Sequence, residues 1–122
     1  MAKPRRDAKR EGRILNEVIV DAYNPEEQVM GWYCYLEDKI RFPFQAKCIV
    51  SQVVSPLLKG ETVEVRSMAP KDACAVEMLV LIRWQGRNMA VPLSQLKPIK
   101  PDETIAEAVS DWHYWVEQGY LL

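Results

Sequence analysis

The stretch 31–44, GWYCYLEDKIRFPF, decides how this chain folds, because its apolar period changes half-way along. Val29, Tyr33, Leu36 and Ile40 recur every three or four residues with Trp32 alongside, which predicts a helix with one face toward a core. The run Phe42-Pro43-Phe44 then stops the helix, since a residue before proline resists the α region. Phe44 to Val50 reads as a first strand. At the junction sit two adjacent carboxylates, Glu37 and Asp38. A helix C-terminus has unpaired carbonyls and partial negative charge, so acids are unfavourable there. A Glu-Asp pair gathers oxygen donors in a negative field, which suits a hard cation such as Ca2+. The plainer alternative is a solvated helix end with Lys39 and Arg41 as local counter-charges.

Upstream, Asn24-Pro25-Glu26-Glu27 predicts the helix start: an N-cap, a proline at the first position and a capping-box glutamate. Before it, Ile14, Leu15, Val18, Ile19 and Ala22 form an amphipathic face, predicting another helix from Glu11. Residues 1–10 have almost no apolar content. We therefore divide the chain into a disordered basic arm, 1–12, and a single α+β calcium-binding-like domain, 13–122.

Downstream the period is two. Val63 and Val65 alternate with Glu64 and Arg66 in a strand over 61–68. Ala69-Pro70-Lys71-Asp72 makes a turn. Val76 to Trp84 is a longer strand with Met78, Val80, Ile82 and Trp84 on one face. Gln85-Gly86-Arg87 is a tight hairpin connection, and Asn88 to Leu93 returns. Pro92 places that strand at an edge or a bulge. Ser94-Gln95-Leu96 is one helical turn, and Lys97 to Lys100 a last strand. Asp102 to Gln118 is the final helix, burying Ile105, Ala108, Val109, Trp112, Trp115 and Val116, with Gly119 as its cap and Tyr120-Leu121-Leu122 docking back. The fold class is α+β: a small five-stranded SH3-like barrel flanked by two N-terminal helices and one C-terminal helix.

Composition narrows the function. The 122 residues are 48% hydrophobic and 27% charged, ordinary for a soluble domain. No apolar run approaches the ~20 residues of a membrane helix, and no secretory signal is visible. Cys34, Cys48 and Cys74 are odd in number and lack C-x-x-C spacing, which predicts small buried hydrophobes in a reducing cytoplasm. Residues 1–13 carry six basic and two acidic side chains, 6 − 2 = +4, and the rest carry ten and fifteen, 10 − 15 = −5. An acidic body favours cations over nucleic acid or an anionic membrane.

Familiar catalytic signatures are missing. There is no EF-hand loop, no nucleophile elbow and no G-x-G, and one histidine cannot build a convincing zinc site. His113, between Trp112 and Tyr114, reads as a packed side chain. We expect no enzyme activity. Carboxylates are the abundant resource: Glu37 and Asp38 first, then Asp72 in the turn and Glu77 early in the third strand, with water completing a shell. Asp102 and Glu103 read as first-turn helix residues.

Three blocks, MGWYCYLEDKIRFPFQAKC (30–48), MAPKDACAVEMLVLIRWQGRNMAVPLSQLKPI (68–99) and DWHYWVEQGY (111–120), resemble the small cyanobacterial-type calcium-binding protein family, often called CcbP. The resemblance spans about residues 14–121. It implies a small cytoplasmic protein that binds and buffers Ca2+ through carboxylates, with Glu37-Asp38 in its central acidic motif. In cyanobacteria such proteins are linked to control of free calcium during cell differentiation. Lys39 and Arg41 flank the pair here and should lower its affinity by local repulsion. The competing class is an SH3-like interaction module that engages a protein, or less expectedly a nucleic acid, through exposed aromatics or the basic arm.

Overall fold

The computed structural model describes residues 7–20, 22–53, 55–75 and 77–118. The Gly119 cap, the docking of Tyr120-Leu121-Leu122, the first six residues of the basic arm and a strand start at Val76 lie outside the described residues.

Asn24 opens the long helix α2, Pro25–Lys39, as its sequence demands. Its side-chain oxygen accepts the Glu27 N–H at 2.9 Å, and Glu27 reaches back to the Tyr23 N–H at 3.2 Å. That satisfies two donors no helix can pair internally. Helix α2 buries Trp32, Tyr33, Tyr35 and Leu36. Its aromatic side chains Trp32, Tyr33 and Tyr35 are therefore core. The chain turns extended at Ile40, two residues ahead of the cis Phe42–Pro43 bond.

Five antiparallel strands follow: β1 Phe44–Cys48, β2 Thr62–Met68, β3 Leu79–Trp84, β4 Arg87–Pro92 and β5 Leu96–Pro98, in the order β4-β3-β2-β1-β5. Alternation works as expected: Val63, Val65, Met78, Val80 and Ile82 are buried. A bulge in β2 between Val65 and Ser67 absorbs Arg66, so Met68 still faces inward. The hairpin after β3 has both central residues at positive φ, Gln85 at 49° and Gly86 at 84°, the pattern that matches strand twist. Pro92 does end an edge strand.

The expected barrel does not close. No pairing joins β4 to β5 among the described residues, so the sheet is open, with those two as its edges. Strand β5 is three residues long and ends in Pro98, which has no N–H to donate to a further ladder. Helix α3, Glu103–Glu117, packs against β5 and α2. Asp102 caps it, accepting the Ile105 N–H at 2.8 Å. Val116, expected inside, is 40% exposed, while Asp111 is fully buried.

The N-terminal helix starts earlier than its apolar pattern. Helix α1 spans Ala8–Arg13, capped by Asp7, where the sequence reading ran a structureless arm to residue 12. It continues as a π-helical turn, Ile14–Val18. Ile14 and Val18 are buried, but Leu15 is 59% exposed. The cause of the early start is Asp111. Arg13 binds it through Nη2 at 2.6 Å and Nε at 2.9 Å, Arg10 through Nη1 at 2.9 Å, and Tyr35 donates its hydroxyl at 3.2 Å. A buried charge so paired fixes geometry as well as contributing energy.

His113 ties α3 to the sheet, its Nε2 at 2.7 Å from the Leu96 carbonyl. Burial lowers its pKa from 6.5, the Leu96 bond and Glu117 oppose this, and Lys97 adds to it. The folded state then binds fewer protons than the unfolded chain below the ordinary value. The stability His113 brings is present in its neutral form and is lost as pH falls from about 6.5 toward its lower folded value. Urea unfolding at pH 7 and pH 5 should show a larger loss for the parent than for His113→Gln. Equal losses would remove His113 from that pH response.

Candidate metal centre

Glu37 and Asp38 occupy the last turn of α2, both exposed. Neighbouring helical positions are turned by about 100° around the axis, so the two carboxylates face different partners. Glu37 lies one turn beyond Tyr33, on the side of the 3-10 turn Lys71–Cys74. The Tyr33 hydroxyl donates to the Ala69 carbonyl at 2.8 Å, and Lys71 Nζ stands 5.9 Å from the centre of the Tyr33 ring. Burial raises the Tyr33 pKa, and the negative charge of Glu37 adds to the rise. Asp72 belongs to that same short turn and is exposed. Glu77 sits half-buried just ahead of β3, where burial raises its pKa.

Asp38 faces the other way. It lines a groove of about 560 Å³ between the π-turn and α2, with Glu17 on the opposite wall and Lys39 beside it. A smaller hollow of about 210 Å³ continues from Glu17 and Lys39 to Glu103 and Glu107. Glu17 had no signal in the sequence. Its place beside Asp38 depends on α1 being pinned to α3, a contact nearly a hundred residues long-range. A close approach shapes the groove: a Cβ on Gly31 would run into the Val18 carbonyl oxygen.

Among the described residues, no three His, Cys, Asp or Glu side chains gather as a metal-ligand group. Glu37, Asp38, Asp72 and Glu77 stand on two sides of one helix end. Cys34, expected inside, is exposed, because it sits on the solvent side of α2 between buried Tyr33 and Tyr35. Cys48 and Cys74 are buried as expected. The donors on offer at the helix end are hard oxygens, carboxylates together with the last-turn carbonyls that a helix leaves over. That donor set fits Ca2+ and not a soft metal.

A family model described as calcium binding, that of CcbP, matches residues 12–116. This chain belongs to the CcbP family. Two solved structures are similar to it. The crystal structure of CcbP from Anabaena is 41% identical, with 98% of each chain covered and a TM-score of 0.86. A calcium binding protein in the calcium-binding form is 40% identical over the same share of both chains, with a TM-score of 0.85. No curated protein matches the chain. Membership of CcbP covers both halves of the groove, the π-turn carrying Glu17 and the helix end carrying Asp38.

Proposed function

We propose that this chain is a non-enzymatic Ca2+-binding protein, a buffer or sensor, that takes the ion on carboxylates at the end of α2 without an EF-hand. The observation that carries the reading is the family match across residues 12–116, which takes in Glu37, Asp38, Asp72 and Glu77. Asp38 is the anchor, because it sits at the negative end of the helix dipole in a groove shared with Glu17. Glu37 serves the other side, where Asp72 lies in the adjoining turn and Glu77 follows it. Water fills the rest of a six- to eight-oxygen shell. Lys39 lines the Asp38 groove and weakens the site by repulsion. Free thiols at Cys34, Cys48 and Cys74 favour a reducing, cytoplasmic setting.

Calorimetry decides it. Ca2+ titrated into the parent chain should give saturable heat, and Asp38→Ala should weaken binding by about tenfold or more, the loss of one charged ligand at about 1.4 kcal/mol or above. Glu37→Ala should cost less if Asp38 is the anchor. An unchanged isotherm for both variants would move the ion elsewhere on the chain.

A further inference from the structure

We propose that the outer face of β1 and β5, with the loop residues 49–53 and 55–58 beside it, docks an acidic, apolar peptide segment of a partner protein. This stands independently of the calcium reading. Residues 48–58 contain no charged side chain. Ile49, Val50, Val53 and Leu58 nevertheless point outward, Leu58 at 64% exposure and Val53 fully exposed. The loop is held in that pose. Leu57 is buried as its anchor, Gln95 Nε2 donates to the Leu57 carbonyl at 3.3 Å, and the Ile49 N–H donates to the Gln95 carbonyl at 2.8 Å. The Lys59 N–H donates to Ser51 Oγ at 3.0 Å and the Gly60 N–H to the Cys48 carbonyl at 2.8 Å. A fixed loop that turns its apolar side chains to water offers a surface already ordered for binding.

Charge tells what sits there. Lys47 and Lys97 are direct cross-strand neighbours, both exposed. Among the described residues no carboxylate lies within ion-pair distance of them or of Lys59. Like charges directly opposed across a ladder are unfavourable until an anion joins them. Ile49 follows Lys47 by two residues and so shares its face. Ile49 also lines a cavity of about 620 Å³ with Lys97, Pro98 and Val109, whose lining also includes Arg10, the paired Arg13 and Glu107, and Glu117. Three cations around apolar side chains and a concave pocket fit a peptide whose leucine, isoleucine or phenylalanine enters the cavity while flanking Asp and Glu meet the lysines. The concavity favours a peptide over a lipid surface, which is flat on this scale.

Random peptides of about 15 residues displayed on phage should be selected on the immobilised full chain, with anisotropy of the synthetic consensus as the readout. Selected sequences should combine acidic with large apolar residues. Affinity should fall with added salt and drop by about tenfold in Lys47→Glu/Lys97→Glu and in Val53→Ser/Leu58→Ser, with melting unchanged. Lys47→Gln/Lys97→Gln is the milder control, with a smaller drop. Failure to select any peptide, selection of neutral or basic sequences, or affinity indifferent to all three variants would overturn the proposal. So would binding of phosphatidylserine vesicles that the same variants abolish while no peptide binds.

Discussion

Replacing Asp111 by asparagine should lower stability by about 3 kcal/mol, within the range for breaking one partner out of a buried ion pair. Asparagine keeps the shape and removes the charge. Its amide also turns an N–H2 toward donors that need an acceptor. Asp111 is fully buried, whereas the Arg10 and Arg13 side chains are 25% and 23% exposed. The arginines can therefore swing toward water once released, which keeps the cost below the upper end. For a domain of this size the midpoint of thermal unfolding should drop by about 10 °C. Helix α1 has no buried residue of its own, and its polar hold on the body includes this charge cluster, the Arg10 bond to Ser110, the Arg13–Glu107 ion pair and the Asp7 and Arg10 contacts to Tyr114. Arg13→Ala should cost much in the parent and little in the Asp111→Asn background, a coupling that a double-mutant cycle measures. Additive losses would show that the arginines stabilise the fold by some other contact.

Gly31→Ala should also destabilise, against the expectation for a glycine in mid-helix. Alanine is the better helix former by about 1 kcal/mol. Yet the added Cβ meets the Val18 carbonyl oxygen, a backbone atom at the end of the π-turn. Backbone cannot rotate away as a side-chain tip would, so the turn must move back from α2. We expect a net loss of about 2 kcal/mol, the size of other overpacking changes. Because Glu17 precedes Val18, the groove at Asp38 should widen and Ca2+ affinity should fall in the same variant. A stabilised Gly31→Ala protein would show that the two segments separate freely.

Much of this architecture was legible from residue order. The capping box at Asn24 and Glu27, the alternation through Val63, Val65, Val80 and Ile82, and the glycine turn at Gly86 are local signals that tertiary packing did not override. What lay hidden was non-local. Arg10 reads as part of an unstructured basic arm and Arg13 as an ordinary first-helix residue, because nothing near them in sequence names a buried carboxylate 98 to 101 residues away. Asp111 sits on the apolar face of its helix at a position periodicity assigns to the core, and its charge disguised that. The barrel failed to close because strand length depends on what covers the edge, and β5 is only three residues long. At the candidate site, adjacency in sequence does not tell which side of the helix each carboxylate faces. Glu37 and Asp38 are neighbours on a helix, which sends their side chains to different walls. Glu17 became a neighbour of Asp38 only through the folding of α1.

Three of the four tryptophans make one nest. Trp32 lies 5.0 Å from Trp112 and 5.6 Å from Trp115 between ring centres, all of them buried. Indoles so enclosed emit toward the blue and couple electronically, giving near-ultraviolet ellipticity that disappears when the rings part. Trp32 stands on the same helix as Asp38, less than two turns away. The protein thus carries its own optical gauge: any event that levers α2 from α3, whether an ion settling at the helix end or the arginines letting go, should announce itself in emission colour without an added dye.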